Sequence, residues 1–134
     1  MLIFIYIYFI MNIVKDILLP GIILIVLDFC FLAFNQKLFA EQIAAVQRVS
    51  LQPRLEGGVV CYLFLIFGLY HFILRTHSSP WNALLLGMVI NGVYESTSYL
   101  AFKKWKWQIA VMDTLWGGIL FALTTTIVQF LRLN

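Results

Sequence analysis

The feature that most constrains this chain is a series of long apolar runs separated by short polar connections. The runs cover about residues 13–34, 55–74, 81–101 and 107–131, and roughly 20 apolar residues are enough for an α-helix to cross a bilayer. Of the 134 residues, 63% are hydrophobic and 11% are charged, whereas a soluble domain is about 25% charged. So short a chain has too little interior to hide this apolar surface from water. The sequence therefore predicts an all-α polytopic membrane protein, a bundle of four transmembrane helices.

Two further segments accompany the predicted spans. Residues 1–11 are apolar but too short to cross a membrane alone. They lack the basic start and small-residue cleavage site of a signal peptide, so we interpret them as an N-terminal extension of a single membrane domain over residues 12–134. Residues 35–52 alternate apolar and polar side chains. This pattern is typical of an amphipathic helix lying in the membrane interface between spans one and two.

The basic residues indicate an orientation. Loops 35–54 and 102–107 contain six of the nine lysines and arginines, so the positive-inside rule predicts that both loops are cytoplasmic and both termini lie on the opposite side. The basic residues flank apolar runs and form no continuous face, so nucleic acid is not an expected partner. Basic and aromatic residues alternate in the second loop, where we predict interface anchors at Lys103, Lys104, Trp105, Lys106 and Trp107.

Three of the six acidic residues, Asp28, Glu95 and Asp113, fall inside predicted spans. With a rise of ~1.5 Å per residue, each lies ~9 Å from the helix end beside the basic loops, so we expect them in one layer. A charge inside a membrane helix costs about 2.5–3.5 kcal/mol on insertion scales, so these side chains should face inward. We predict a buried polar cluster with Arg54 as a possible charge partner and close helix packing beside it. The predicted cluster is Asp28, Asn91, Tyr94, Glu95, Thr97, Ser98 and Asp113, and the predicted packing residues are Gly87, Gly92, Trp116 and Gly117.

Carboxylates this close together cannot all stay ionised, so they would bind a proton, pair with a basic residue or hold a cation. The simpler interpretation is that they hold the helices together by hydrogen bonds. No nucleophile–base pair is visible, so we do not expect an enzyme. Cys30 and Cys61 form no CxxC or Cys/His pattern, so no metal or other cofactor is expected. We predict both thiols to be buried and to pack as small apolar groups, with a disulfide between them as the less favoured alternative.

Three motifs in the C-terminal half carry a family resemblance. The runs YESTS at 94–98, KW at 104–105 and DTLWG at 113–117 resemble the signature of an uncharacterised family of four-helix membrane proteins, domain-of-unknown-function family twenty-one seventy-seven, with bacterial and large-DNA-virus members. Asp28, the run NQKLF at 35–39 and Tyr62 fit the family's first half. The resemblance covers about residues 11–131, departs from the usual Asp at Glu95 and the usual Asn at Ser98, and leaves residues 1–10 as an addition. It implies the four-helix fold and a polar site, but no activity.

These observations predict a small integral membrane protein without catalytic activity, acting as a structural or accessory component of a larger assembly. Its expected partners are the lipid bilayer and other membrane or capsid-type proteins, and a virion with an internal membrane is one possible setting. The alternative is a small cation- or proton-linked carrier that uses the buried carboxylates.

Overall fold

A computed structural model describes residues 1–133, and over that range the chain is built from α-helices without strands. The α-helices are α1 (Leu2–Phe34), α2 (Gln36–Gln47), α3 (Leu55–Leu69), α4 (Pro80–Ala101) and α5 (Trp107–Leu133). One π-helical turn over Tyr70–Leu74 continues α3. The all-α class predicted from the sequence is confirmed.

Three helical segments, Leu2–Phe34, Leu55–Leu74 and Trp107–Arg132, are long and apolar enough to cross a membrane. These segments contain the predicted first, second and fourth spans. The third predicted span corresponds to α4, which has 22 residues and is therefore ~33 Å long. α4 is less apolar than the other three segments, because it contains Asn82, Asn91 and Glu95 together with several hydroxyl side chains. Length and composition thus support three spans directly.

α1 is a continuous helix of 33 residues, ~50 Å long. It begins at Leu2, so the extension predicted for residues 1–11 belongs to the same helix as the first predicted span. Every residue from 1 to 12 is exposed, whereas Pro20, Gly21 and Leu24 are buried. A Cβ atom added at Gly21 would lie 3.1 Å from Cδ1 of Ile66. α1 therefore packs on α3 through its middle and leaves its first third uncovered by the protein.

The apolar core lies between α1, the end of α3 with its π-helical turn, and α5, and it includes Ala83 of α4. Its largest fully buried side chains include Leu24, Leu69, Phe121 and Val128. Most other large apolar side chains are exposed, as at Leu100, where the exposed fraction is 86%. A surface of this kind suits hydrocarbon as the solvent.

α4 and α5 pack closely through glycines. A Cβ atom added at Gly87 would overlap the carbonyl oxygen of Gly117, and one added at Gly118 would lie 2.9 Å from the carbonyl oxygen of Leu84. Gly92 lies on the same interface, where an added Cβ would be 3.4 Å from Cγ2 of Thr114. Small residues allow helix backbones to approach in this way within membranes.

α2 is attached to the connection between α4 and α5. The Gln42 side chain is 2% exposed. Its Nε2 donates to the carbonyl oxygen of Lys104 at 3.0 Å, and the backbone N–H of Lys106 donates to its Oε1 at 3.3 Å. α2 ends at Arg48, whose backbone is left-handed with φ of 62°. These bonds bring the two basic loops to the same end of the bundle.

Candidate functional site

Asp28 on α1 joins three helices. Its Oδ2 accepts a hydrogen bond from the hydroxyl of Tyr62 on α3 at 2.6 Å, and its Oδ1 accepts one from Nε1 of Trp116 on α5 at 2.8 Å. The Trp116 ring stacks on Phe31, one turn further along α1, with ring centroids 4.4 Å apart and planes 8° apart. The predicted packing residue Trp116 therefore binds α5 to α1.

Glu95 on α4 is 3% exposed. Its Oε2 accepts a hydrogen bond from Nε1 of Trp105 at 2.7 Å. Trp105 was predicted to anchor the chain in the membrane interface, but its side chain is 7% exposed and points into the protein. The physical reason is that a buried indole N–H needs an acceptor, and the turn closed by Phe102 and Trp105 folds the indole back over α4.

Asp113 on α5 is half-buried and lies near Glu95 and Asp28. Its backbone carbonyl oxygen accepts from Nδ2 of Asn91 at 3.0 Å. Asp113 is thus near both other acids, although over residues 1–133 no three Asp, Glu, His or Cys side chains are arranged to hold a metal ion. We call the three acids with their donors Tyr62, Trp105 and Trp116 the carboxylate cluster.

The other residues predicted for the buried cluster divide by their position around α4. Ser98 is buried and Asn91 is half-buried, on the same face as Glu95. Tyr94 and Thr97 are exposed, which differs from the prediction. Each helical residue turns the side chain by about 100°, so positions 91, 95 and 98 share one face while Thr97 points away. Tyr94 lies at the edge of that face, and its exposed ring meets the Trp105 ring edge-on with centroids 6.3 Å apart.

The predicted charge partner and the cysteines lie on the surface. Arg54 is exposed at the start of α3 and forms no ion pair with a carboxylate of residues 1–133. Cys30 and Cys61 are exposed and unpaired, so the prediction that they are buried was wrong. Their helix faces point outward, where a thiol meets lipid as a small apolar group. The remaining predicted interface anchors are also exposed: Lys103, Lys104, Lys106 and Trp107.

Sequence reasoning missed the hydrogen-bond donors of the carboxylate cluster. The predicted cluster offered the hydroxyl groups of Tyr94, Thr97 and Ser98 as its donors. The donors in the structure are instead the phenol of Tyr62 and the indoles of Trp105 and Trp116. A usable signal was depth. From the basic-loop ends of their helices, Asp28 lies six residues away, Tyr62 seven and Trp116 nine, a spread of ~5 Å in depth.

A smaller polar site lies at the other end of the bundle. Nη2 of Arg132 and Oδ1 of Asp16 are 3.4 Å apart in an exposed salt bridge. Nε2 of Gln129 donates to the carbonyl oxygen of Ser78 at 3.0 Å. These contacts tie the end of α5 to α1 and to the connection before α4.

Apolar spanning helices joined by internally bonded carboxylates define a helical integral membrane protein. A family model described as "Predicted membrane protein (DUF2177)" matches residues 13–130, so the chain belongs to this family. The match confirms the resemblance carried by the C-terminal motifs, and residues 1–12 lie outside it. No curated protein and no solved structure matches the chain.

Proposed function

We propose that this chain is a four-span membrane protein without catalytic activity that serves as a structural or accessory component of a larger membrane assembly. The observation that carries the proposal is that Asp28 on α1 receives one hydrogen bond from α3 and one from α5. Polar side chains in membrane bundles commonly join helices in this way. In this proposal the carboxylate cluster fixes the arrangement of the helices and reacts with no substrate.

α4 is the proposed fourth span. Its most polar side chain, Glu95, is turned into the protein and bonded to Trp105, which lowers the cost of placing an acid in the bilayer. Gly87 brings its backbone against α5. With four spans, loops 35–54 and 102–107 lie at one membrane face. Their lysines and arginines favour the cytoplasmic side, with both termini opposite.

The exposed first third of α1 supports the proposal of protein partners. α1 is ~50 Å long, whereas the hydrocarbon core is ~30 Å thick. Tyr8 and its neighbours on this segment are exposed, and the ~20 Å of apolar helix beyond the hydrocarbon core needs a cover other than acyl chains. The proposed partners are other membrane or capsid-type proteins, and a virion with an internal membrane is one setting for them.

A photo-crosslinking experiment tests the assembly. A benzophenone amino acid replaces Tyr8, which is 69% exposed, or Phe121, which is 1% exposed and serves as the control. After irradiation of native membranes, we expect discrete protein adducts from position 8 and none from position 121. Adducts with lipid alone at position 8 would contradict a protein partner.

The nearness of Glu95 and Asp113 favours a second candidate, a cation- or proton-linked carrier. Neighbouring carboxyl groups at low dielectric do not both stay ionised unless a cation lies beside them. A surface groove of about 430 Å³ reaches Glu95 between α4 and α5. Carriers use carboxyl groups in such positions for proton or ion exchange.

Liposome flux separates the two candidates. The full chain is reconstituted under a proton or sodium gradient beside the variants Glu95→Gln, Asp113→Asn and Asp16→Asn. The packing function predicts no flux above that of empty vesicles. The carrier function predicts flux that Glu95→Gln and Asp113→Asn abolish and that Asp16→Asn, at the other end of the bundle, leaves unchanged.

A further inference from the structure

A groove of about 810 Å³ follows the outer surface between α1 and α3. Its walls are mostly apolar, with Ile25, Phe29 and Leu32 from α1 and Val59, Leu63 and Ile66 from α3. Arg54 lies at one end, where α3 begins. We propose that this groove binds an anionic phospholipid, with an acyl chain along the apolar walls and the phosphate against Arg54.

The length of the groove fits one leaflet. From Arg54 to Ile66 the α3 wall extends ~18 Å at 1.5 Å per residue. One leaflet contributes about half of the ~30 Å hydrocarbon core. Arg54 thus lies at the level of the lipid headgroups when the apolar wall lies among the acyl chains. The volume of the groove falls within the range of small-molecule sites.

The charges at the groove mouth favour an anionic headgroup. Arg54 is exposed and has no carboxylate partner within residues 1–133, and a guanidinium group binds phosphate through two parallel hydrogen bonds. The first backbone N–H groups of α3 point to the same end and add a partial positive charge. Glu56 is exposed in the first turn of α3 but does not line the groove.

The one acid in the groove wall, Asp28, already has hydrogen-bond partners within the protein. Both oxygens of Asp28 accept hydrogen bonds from Tyr62 and Trp116. The remaining polar surface of the wall is small, so the deep part of the groove suits an acyl chain better than a polar ligand.

Two adjacent glycines provide a matched pair of variants. A Cβ atom added at Gly57 or at Gly58 would meet no atom within 4 Å, but Gly58 lines the groove and Gly57 does not. Gly58→Leu therefore directs its side chain into the groove from a Cβ atom that meets no neighbour, and Gly57→Leu adds the same side chain outside the groove. Arg54→Gln removes the headgroup contact, and Arg75→Gln removes an exposed arginine beyond the other end of the second span.

Native mass spectrometry of the full chain, released from non-ionic detergent with equimolar phosphatidylglycerol and phosphatidylcholine, measures the preference. One basic residue at a membrane surface predicts about fivefold more phosphatidylglycerol adduct. Arg54→Gln should reduce that ratio to near one, Gly58→Leu should remove both adducts, and Gly57→Leu and Arg75→Gln should match the wild type. Circular dichroism checks helicity, and Val59→Phe replaces Gly58→Leu if that variant does not fold.

Three results would overturn the proposal. Equal retention of the two lipids by the wild type removes the headgroup preference. An equal fall of the phosphatidylglycerol-to-phosphatidylcholine adduct ratio in Arg54→Gln and Arg75→Gln shows a nonspecific charge effect. Displacement of the lipid by millimolar glycerol phosphate shows that the site binds the phosphate alone, without an acyl chain in the groove.

Discussion

Replacing Asp28 with leucine tests whether the carboxylate cluster holds the bundle together. The substitution keeps a side chain of similar size but removes the acceptors of two hydrogen bonds, from Tyr62 at 2.6 Å and from Trp116 at 2.8 Å. Both donors are then left without their partner in a medium that supplies no water. Asp28→Asn is the milder variant, because the amide keeps one acceptor oxygen.

The expected loss follows from the two bonds. A hydrogen bond to a charged group contributes about 1.5–3 kcal/mol in soluble proteins, but polar contacts in a membrane bundle average about 0.6 kcal/mol and reach about 1.7. The membrane scale gives about 1–3 kcal/mol for the two bonds together. We therefore expect Asp28→Leu to lower the free energy of unfolding by about 2 kcal/mol and Asp28→Asn by about half as much.

Unfolding of the purified chain by sodium dodecyl sulfate in mixed micelles measures this difference, with far-ultraviolet circular dichroism as the signal. Asp16→Asn is the control, because its salt bridge with Arg132 is exposed, with the Asp16 side chain 46% and the Arg132 side chain 34% accessible. Exposed ion pairs contribute about 0–1 kcal/mol, so this variant should unfold close to the wild type.

A double-mutant cycle locates the effect in the hydrogen bonds. In the wild-type background Tyr62→Phe should lower stability, whereas in the Asp28→Leu background the same change should have little further effect. The reasoning would be refuted if Asp28→Leu unfolded with the stability of Asp16→Asn, or if the Tyr62→Phe effect were equal in both backgrounds.

Two other predictions concern the packing around the cluster. Gly87→Ala places a methyl group against the carbonyl oxygen of Gly117, so we expect the free energy of unfolding to fall by about 1–3 kcal/mol. The methyl group of Gly57→Ala meets no atom, so that variant should lower it by less than about 1 kcal/mol. Detergent unfolding compares the two variants. Gln42→Ala removes both bonds to the α4–α5 connection, so limited trypsin digestion should cut that connection several times faster than in the exposed control Gln47→Ala.

The sequence predicted the helical elements well because their determinants are local and strong. Apolar runs of about 20 residues have one stable form in hydrocarbon, the helix, since every backbone polar group must be bonded internally. The helices Leu55–Leu69 with the following π turn, Pro80–Ala101 and Trp107–Leu133 therefore begin close to the predicted spans. The first helix was harder, because residues 1–11 carry no signal that separates an interfacial segment from a longer helix.

The depth of the acids predicted that they lie in one layer, but it did not predict their hydrogen-bond donors. A carboxylate in a membrane helix must face protein, and Glu95 is buried while Asp28 and Asp113 are half-buried. Which donor each acid finds depends on helix rotation and on the long-range approach of α1 to α5. Trp105 illustrates the difficulty, since a tryptophan among lysines has the composition of an interface anchor, yet its indole turns inward to Glu95.

The choice of aromatic donors has its own physical reason. A serine hydroxyl reaches little beyond its own helix and often bonds its own backbone, as Thr114 does to the carbonyl oxygen of Ala110. A phenol or an indole carries one donor at the end of a large apolar ring, so it can bridge two helices while the ring fills the space between them. The stacking of Trp116 on Phe31, beside its bond to Asp28, combines both contributions in one side chain. In a small bundle with few buried residues, a ring that both packs and donates satisfies an acid in a dry environment. A side chain that only joins helices needs such a dry environment, whereas a carrier needs its acids to be reached by ions or protons.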